Sequence, residues 1–174
     1  MIIKKALALF GCFQVIVNLQ ESIERRQVYD EARAYADNTG KPLLVIGTPK
    51  FGHFHHPCGD VTVDINPEMA KYCNTEIADI RSIPYPDRYF GAAFVSHVLE
   101  HLSTIADAYE ALDELHRVAD RIFIVSPHKT SFIAWIHPEH HLWVRADGDD
   151  FIIEQRGRKP AKMASYMVAI TATS

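Results

Sequence analysis

The chain has 174 residues, 48% apolar and 23% charged, with a formal net charge of −4. That is enough for one domain with one core and too little for two ordinary ones. No basic run or arginine stripe is present, so nothing electrostatic argues for a nucleic-acid partner. Cys12, Cys58 and Cys73 are odd in number, widely spaced and without a CxxC pair. They read as small apolar residues of a protein in a reducing compartment rather than as a disulfide framework.

Residues 1–20 form an apolar N-terminal segment, and residues 21–174 form the domain proper. Lys4 and Lys5 precede the fourteen-residue run Ala6–Leu19, in which Gln14 and Asn18 are the polar interruptions. A bilayer span needs about 20 apolar residues. The segment therefore reads as a membrane anchor or surface helix, as a packed or dimerising helix, or as a processed signal, although no small-x-small cleavage site follows it. If it spans, Arg25 and Arg26 favour a body on the cytoplasmic side.

Glu21–Asn38 is a polar helix, with Ile23, Ala32, Tyr35 and Ala36 available for one face and a C-cap composition at Asn38-Thr39-Gly40. Five short strands follow, at Leu43–Ile46, Val61–Asp64, Glu76–Ala78, Ala92–Ser96 and Ile122–Val125. Their continuous apolar runs are those of parallel strands covered on both faces. His97 opens a helix after the fourth strand. Thr104-x-x-Asp107 forms a capping box for the helix that carries Ile105, Ala108, Tyr109, Leu112, Leu115 and Ala119 on one face.

Beyond Pro127 two hairpins are equally good. One pairs His141–Val144 with Phe151–Gln155 across Ala146–Asp149; the other pairs Phe151–Glu154 with Met163–Thr171 after the turn Gly157–Pro160. The alternation of strand and helix predicts an α/β fold: a Rossmann-like, doubly wound, mostly parallel sheet, with room for an antiparallel C-terminal hairpin. In such a sheet ligands bind beyond the carboxyl ends of the strands. Gly47 ends the first strand, and Asp64 ends the second, seventeen residues later.

The stretches VDINPEM and ADIRSIPYPDRYFGAAFVSHVLEHL, followed by the helix and RIFIVSP, resemble class I S-adenosylmethionine-dependent methyltransferases of the small type 11 group, over roughly Leu43–Pro127. The resemblance implies S-adenosylmethionine as cofactor and a small-molecule, lipid or protein methyl acceptor. It implies that Gly47 and Thr48 sit against the cofactor and that Asp64 binds the ribose hydroxyls. Ile65 would pack on the adenine, Asp79 would accept from its amino group, and Ile80 would offer its backbone amide. Ser96 and His97 would line the methionine end. The family's first motif, an acid and then a glycine-rich turn, is altered: Val45 stands for the acid and Pro49 for a glycine. Proline lacks the N–H and fixes φ. A non-catalytic, methyltransferase-like binding module is therefore the alternative from another class.

Ten histidines cluster in the chain. His53, His55, His56 and Cys58 offer four ligands in six residues, a weak metal set. His97-Val98-Leu99-Glu100-His101 formally matches H-x-x-E-H, the pattern of inverted zinc peptidases, and gives a third reading as a metal hydrolase. His97, His137 and His141 are candidates for orienting an acceptor or serving as base; His128 and His140 share that region. Glu139 and Trp143 line the same wall or complete the core.

Overall fold

The computed structural model describes residues 2–49, 56–147 and 150–157. The elements in chain order are α1 (Ile2–Thr39), β1 (Leu43–Ile46), β2 (Val61–Asp64), β3 (Glu76–Ile77), β4 (Phe90–Ser96), α2 (Ile105–Val118), β5 (Ala119–Val125), α3 (Phe132–Ile136), β6 (Leu142–Asp147) and β7 (Asp150–Gln155). Single 3₁₀ turns lie at Pro67–Lys71 and Leu99–His101.

The five strands β1–β5 form one parallel sheet in the order β3-β2-β1-β4-β5. Successive side chains of a strand point to opposite faces, and here both faces are apolar. Leu43, Val45, Ala92, Phe94, Phe123 and Val125 meet Val28, Tyr29, Ala32 and Ala36 of α1. Leu44, Ile46, Ala93, Val95, Ile122 and Ile124 meet Ala108, Ala111, Leu112, Leu115 and Val118 of α2. The result is a three-layer α/β/α sandwich. The close approach of α1 depends on Gly91, where a Cβ would stand 2.2 Å from Thr39 Oγ1 and 3.0 Å from Ala36 Cα.

The capping box of α2 forms as expected. Asp107 N–H donates to Thr104 Oγ1 at 3.1 Å, and Thr104 N–H donates back to Asp107 Oδ2 at 2.9 Å. Gly40, at φ +68°, ends α1. The hairpin that forms is β6–β7, antiparallel from Leu142↔Gln155 to Asp147↔Asp150. It packs Leu142, Val144 and Ile153 into the α2-side core rather than extending the main sheet. The rival strand Met163–Thr171 lies outside the described residues.

Four expectations are corrected. The apolar segment and the polar helix are one continuous helix, because no breaker separates them, and Ile23 is exposed rather than on the core face. His97 opens no helix: it sits at φ +54° before the short turn at Leu99–His101, and α2 begins only at Ile105. Cys58 and Cys73 form a disulfide, closing a loop across β2 that no local spacing announces. Cys12, expected in a core, is free and exposed. The disulfide removes the basis for the reducing-compartment reading, since such bonds persist mainly in oxidising compartments or in hyperthermophile proteins.

Glu100 is buried beneath this turn, with both carboxylate oxygens lacking a hydrogen bond. Burial pushes its pKa up to about 8, with Arg25 acting against the rise and Glu21 with it. The folded state thus binds the Glu100 proton more tightly than the unfolded chain, where a glutamate titrates at about 4.3. The associated stability is fully present below the unfolded value and is lost as pH rises through about 8.

Two measurements follow from these contacts. The stability of the wild type, relative to Glu100→Gln, should fall between pH 5 and pH 9 in urea unfolding, whereas parallel curves would show that the carboxyl is not the titrating group. Reducing the Cys58–Cys73 bond, which spans 15 residues, should cost about 3 kcal/mol and lower the urea midpoint; an unchanged midpoint would contradict the stapling role.

Candidate functional site

The strand order reverses between β1 and β4, and the crevice opens beyond the carboxyl ends of β1, β2 and β4. A cleft of about 700 Å³ lies there. Gly47, Thr48, Asp64, Ile65, Asp79, Ile80, Ser96 and His97 all line it, so the structure gathers every expected cofactor contact on one wall or another of a single hollow. Pro49 lines it too, without filling it.

Gly47 ends β1 at φ +89°. A Cβ there would stand 2.8 Å from Val98 Cγ2 and 3.2 Å from the Ser96 carbonyl, so only glycine lets the β1 and β4 tips approach. The next amide, Thr48 N–H, donates to Asp64 Oδ2 at 2.8 Å. Asn66 N–H donates to Asp64 Oδ1 at 2.9 Å. The carboxylate is thus held at the strand tip by two backbone donors. Each oxygen keeps a second acceptor site toward the cleft. Thr48 Oγ1 lies 3.0 Å from Thr75 Oγ1, which ties the loop to the segment preceding β3.

Asp79 is less free. Arg81 donates to it from its backbone N–H at 2.9 Å and from its side chain at 2.6 and 3.0 Å, and also reaches Asp107 at 2.7 Å. These bonds to Arg81 lower the Asp79 pKa, with burial opposing them. Ile80 is buried on the wall, and Ile65 is exposed at the rim.

The third side of the cleft was not legible in the sequence. Arg25, from α1, places Nη2 2.7 Å from His97 Nε2. A guanidinium only donates, so Nε2 is the acceptor and the ring proton belongs on Nδ1, which lies 3.6 Å from Glu100 Oε1. His97 is therefore held between a cation and a buried acid. Burial lowers the Arg25 pKa, while Glu21 and Glu100 raise it. The 72 residues between Arg25 and His97 are the reason no local pattern revealed the pair.

The remaining histidines divide. His137 and His141 face a second cavity of about 280 Å³ with His140 and Arg156. Glu139 and His101 reach the main cleft's rim. Trp143 is core, its ring tilted at 52° to that of Trp135 and under the Arg156 guanidinium. His128 donates its backbone N–H to Glu21 and faces Glu24.

Neither metal reading from sequence assembles among the described residues. Cys58 is consumed by the disulfide, and His56 packs against Tyr29 and Phe94, with Nδ1 on the Pro57 carbonyl at 2.9 Å. His53 and His55 lie outside the described residues. His97 and His101 share no helix face, and Glu100 is sealed from water, so the H-x-x-E-H pattern builds no hydrolase centre.

The family model described as "Methyltransferase domain" matches residues 52–121. Among solved structures, similarity is found to a SAM-dependent methyltransferase from Archaeoglobus fulgidus, 26% identical, covering 66% of this chain and 60% of that one at a TM-score of 0.46. The YcgJ protein from Bacillus subtilis is 20% identical over 53% of this chain and 44% of its own, at a TM-score of 0.39. The PH0226 protein from Pyrococcus horikoshii OT3 is 14% identical over 78% of this chain and 73% of its own, at a TM-score of 0.43. The chain thus spans less than two thirds of the first two structures it matches. No curated protein matches it. Residues 52–121, which carry Asp64, Asp79, Ser96 and His97, are thus similar to the methyltransferase-domain family, whose cofactor is S-adenosylmethionine.

Proposed function

We propose that the protein is an S-adenosylmethionine-dependent methyltransferase that uses the cleft beyond β1, β2 and β4. The observation that carries this reading is the convergence of Asp64, Asp79, Gly47, Ser96 and His97 on one hollow of suitable size.

The donor set fits the cofactor. Asp64 presents two spare acceptor sites to a vicinal diol, while its own orientation is fixed by Thr48 and Asn66. Ile65 and Ile80 give apolar walls for a purine. Asp79 keeps a carboxylate edge there, shared with Arg81. Arg25, held by His97, supplies a cation for an amino-acid carboxylate. When bound, the cofactor supplies a methyl group activated on a sulfonium. The protein's own work is to orient both reactants and exclude water, which is the main requirement of in-line transfer. His97 acts as a positioning residue, because its Nε2 is already an acceptor for Arg25.

Pro49 and Val45 support the second reading, a module that binds the ligand without turnover. The glycine-rich turn is absent, and Val45 is fully buried in the core where the family has an acid.

The acceptor is a small molecule, a lipid or a protein. Of these, the surface favours a membrane-associated one. Leu7, Leu9, Phe10, Phe13, Ile16 and Leu19 of α1 are exposed, as are Phe132, Ile133, Trp135 and Ile136 of α3. Gln14 bonds the Thr130 carbonyl at 3.2 Å and the Phe132 N–H at 2.7 Å, and Phe10 meets Phe132, so the two apolar helices form one face. Among the described residues, α1 is long and apolar enough to cross a membrane by length and composition alone. Its tie to α3 suits a helix lying in the interface.

Calorimetry with S-adenosylhomocysteine and S-adenosylmethionine tests the first reading. Binding is expected, and Asp64→Ala should weaken it at least about 10-fold, from the loss of charge-assisted hydrogen bonds. No binding at millimolar ligand removes the proposal. Binding with no methyl transferred to lipid, small-molecule or protein fractions favours the inert module. For the surface, Phe13→Asp with Ile16→Asp should abolish co-sedimentation with anionic vesicles without loss of helical circular dichroism; undiminished co-sedimentation would refute the interfacial face.

A further inference from the structure

We propose that His101, His137 and His140 form a three-imidazole site for a divalent transition ion, best matched by zinc. They come from separate parts of the chain: the turn after β4, the end of α3, and the loop leading to β6. Their ring centroids lie 5.5 Å (His101–His137), 4.7 Å (His101–His140) and 4.5 Å (His137–His140) apart. One nitrogen from each lies within 4.8 Å of the others.

Two backbone devices hold the cluster. His141 N–H donates to the Glu100 carbonyl at 2.7 Å, which pins the loop to the turn. Arg156 gathers the carbonyls of Ala134, His137 and His140 at 3.4, 3.0 and 3.2 Å, and also that of Trp135. The loop is therefore shaped by interactions that do not use the imidazoles, and the rings are left to face each other.

The observation that points to a ligand is separate from this proximity. Nδ1 of His137 and Nδ1 of His140 are both buried and have no hydrogen-bond partner. Each unsatisfied buried polar atom costs roughly 1–3 kcal/mol, and native structures hold few. A shared ion would satisfy both of these stacked neighbours at once. An all-imidazole set selects zinc, copper or nickel over magnesium or calcium. Charges nearby are mixed: Glu139 favours a cation beside His101, whereas the Arg156 guanidinium opposes one beside His140. Four-coordinate zinc with bonds of about 2.0–2.1 Å requires nitrogens roughly 3.3 Å apart. Closing to that spacing falls to His101, the exposed ring. Three protein ligands leave a fourth position for water or an incoming group. His101 also lines the main cleft, so the ion would stand at its rim. The site does not depend on cofactor binding in that cleft.

The full chain, stripped with a chelator, should take up stoichiometric Zn²⁺ at micromolar or tighter affinity in competition titrations. Co²⁺ in its place should give the intense visible absorption of a four-coordinate ion. Zn²⁺ should raise the melting temperature. His101→Ala, at an exposed position, keeps the fold and should weaken binding more than about 100-fold, beyond the loss typical of a residue that only supports a ligand. His140→Ala should do the same, and His101→Ala decides if that buried variant does not fold. His53→Ala with His55→Ala should bind as the wild type. No Zn²⁺ uptake, uptake that survives His101→Ala, or uptake lost with His53 and His55 would each overturn the site.

Discussion

The cleft depends on the carboxylate of Asp64. It receives the Thr48 N–H from the loop after β1 and the Asn66 N–H from its own turn, and so fixes the two strand tips against each other. In a glycine-rich loop, successive amides would face a ligand and need no such tie. Here the loop continues into Pro49, which offers no N–H. The Thr48 amide is satisfied by protein, and Gly47 alone keeps the close approach, against Val98 and Ser96. Among the described residues, the altered motif has therefore not filled the crevice. The position of the acid and of one glycine suffices to keep it open.

Strands β1 and β4 were legible because each is apolar on both faces. That property makes a continuous hydrophobic run, and a short run of this kind between turn residues suits a strand buried in a parallel sheet. The capping box of α2 was legible because it is local, with donor and acceptor three residues apart. Sequence reasoning lost its hold where partners are distant. Arg25 meets His97 across 72 positions, and Cys58 meets Cys73 across 15 with β2 between them. The His101, His137 and His140 cluster joins a turn and a loop on opposite sides of α2 and β5 in the chain. No spacing in the sequence groups these three together. Asp79 shows a subtler limit: its position was readable, but its engagement by Arg81 two residues later was not, because short-range ion pairs leave no periodic trace.

The helix α1 serves two environments. Its C-terminal half supplies Val28, Tyr29, Ala32 and Ala36 to the sheet and sends Arg25 into the cleft. Its N-terminal half is apolar and exposed, and is fastened through Gln14 and Phe10 to α3. The link between cleft wall and apolar face is thus a single continuous element, with Glu21 also receiving the His128 N–H. The same element thus carries both a wall of the cleft, at Arg25, and the exposed apolar face.

The most direct measurement of the central claim is a crystal structure with S-adenosylhomocysteine. The ribose hydroxyls are expected on the Asp64 carboxylate, the purine between Ile65 and Ile80, and the amino-acid end toward Arg25 and His97. A nucleoside seated elsewhere, or an Asp64 carboxylate still facing only Thr48 and Asn66 with the ligand out of reach, would contradict it.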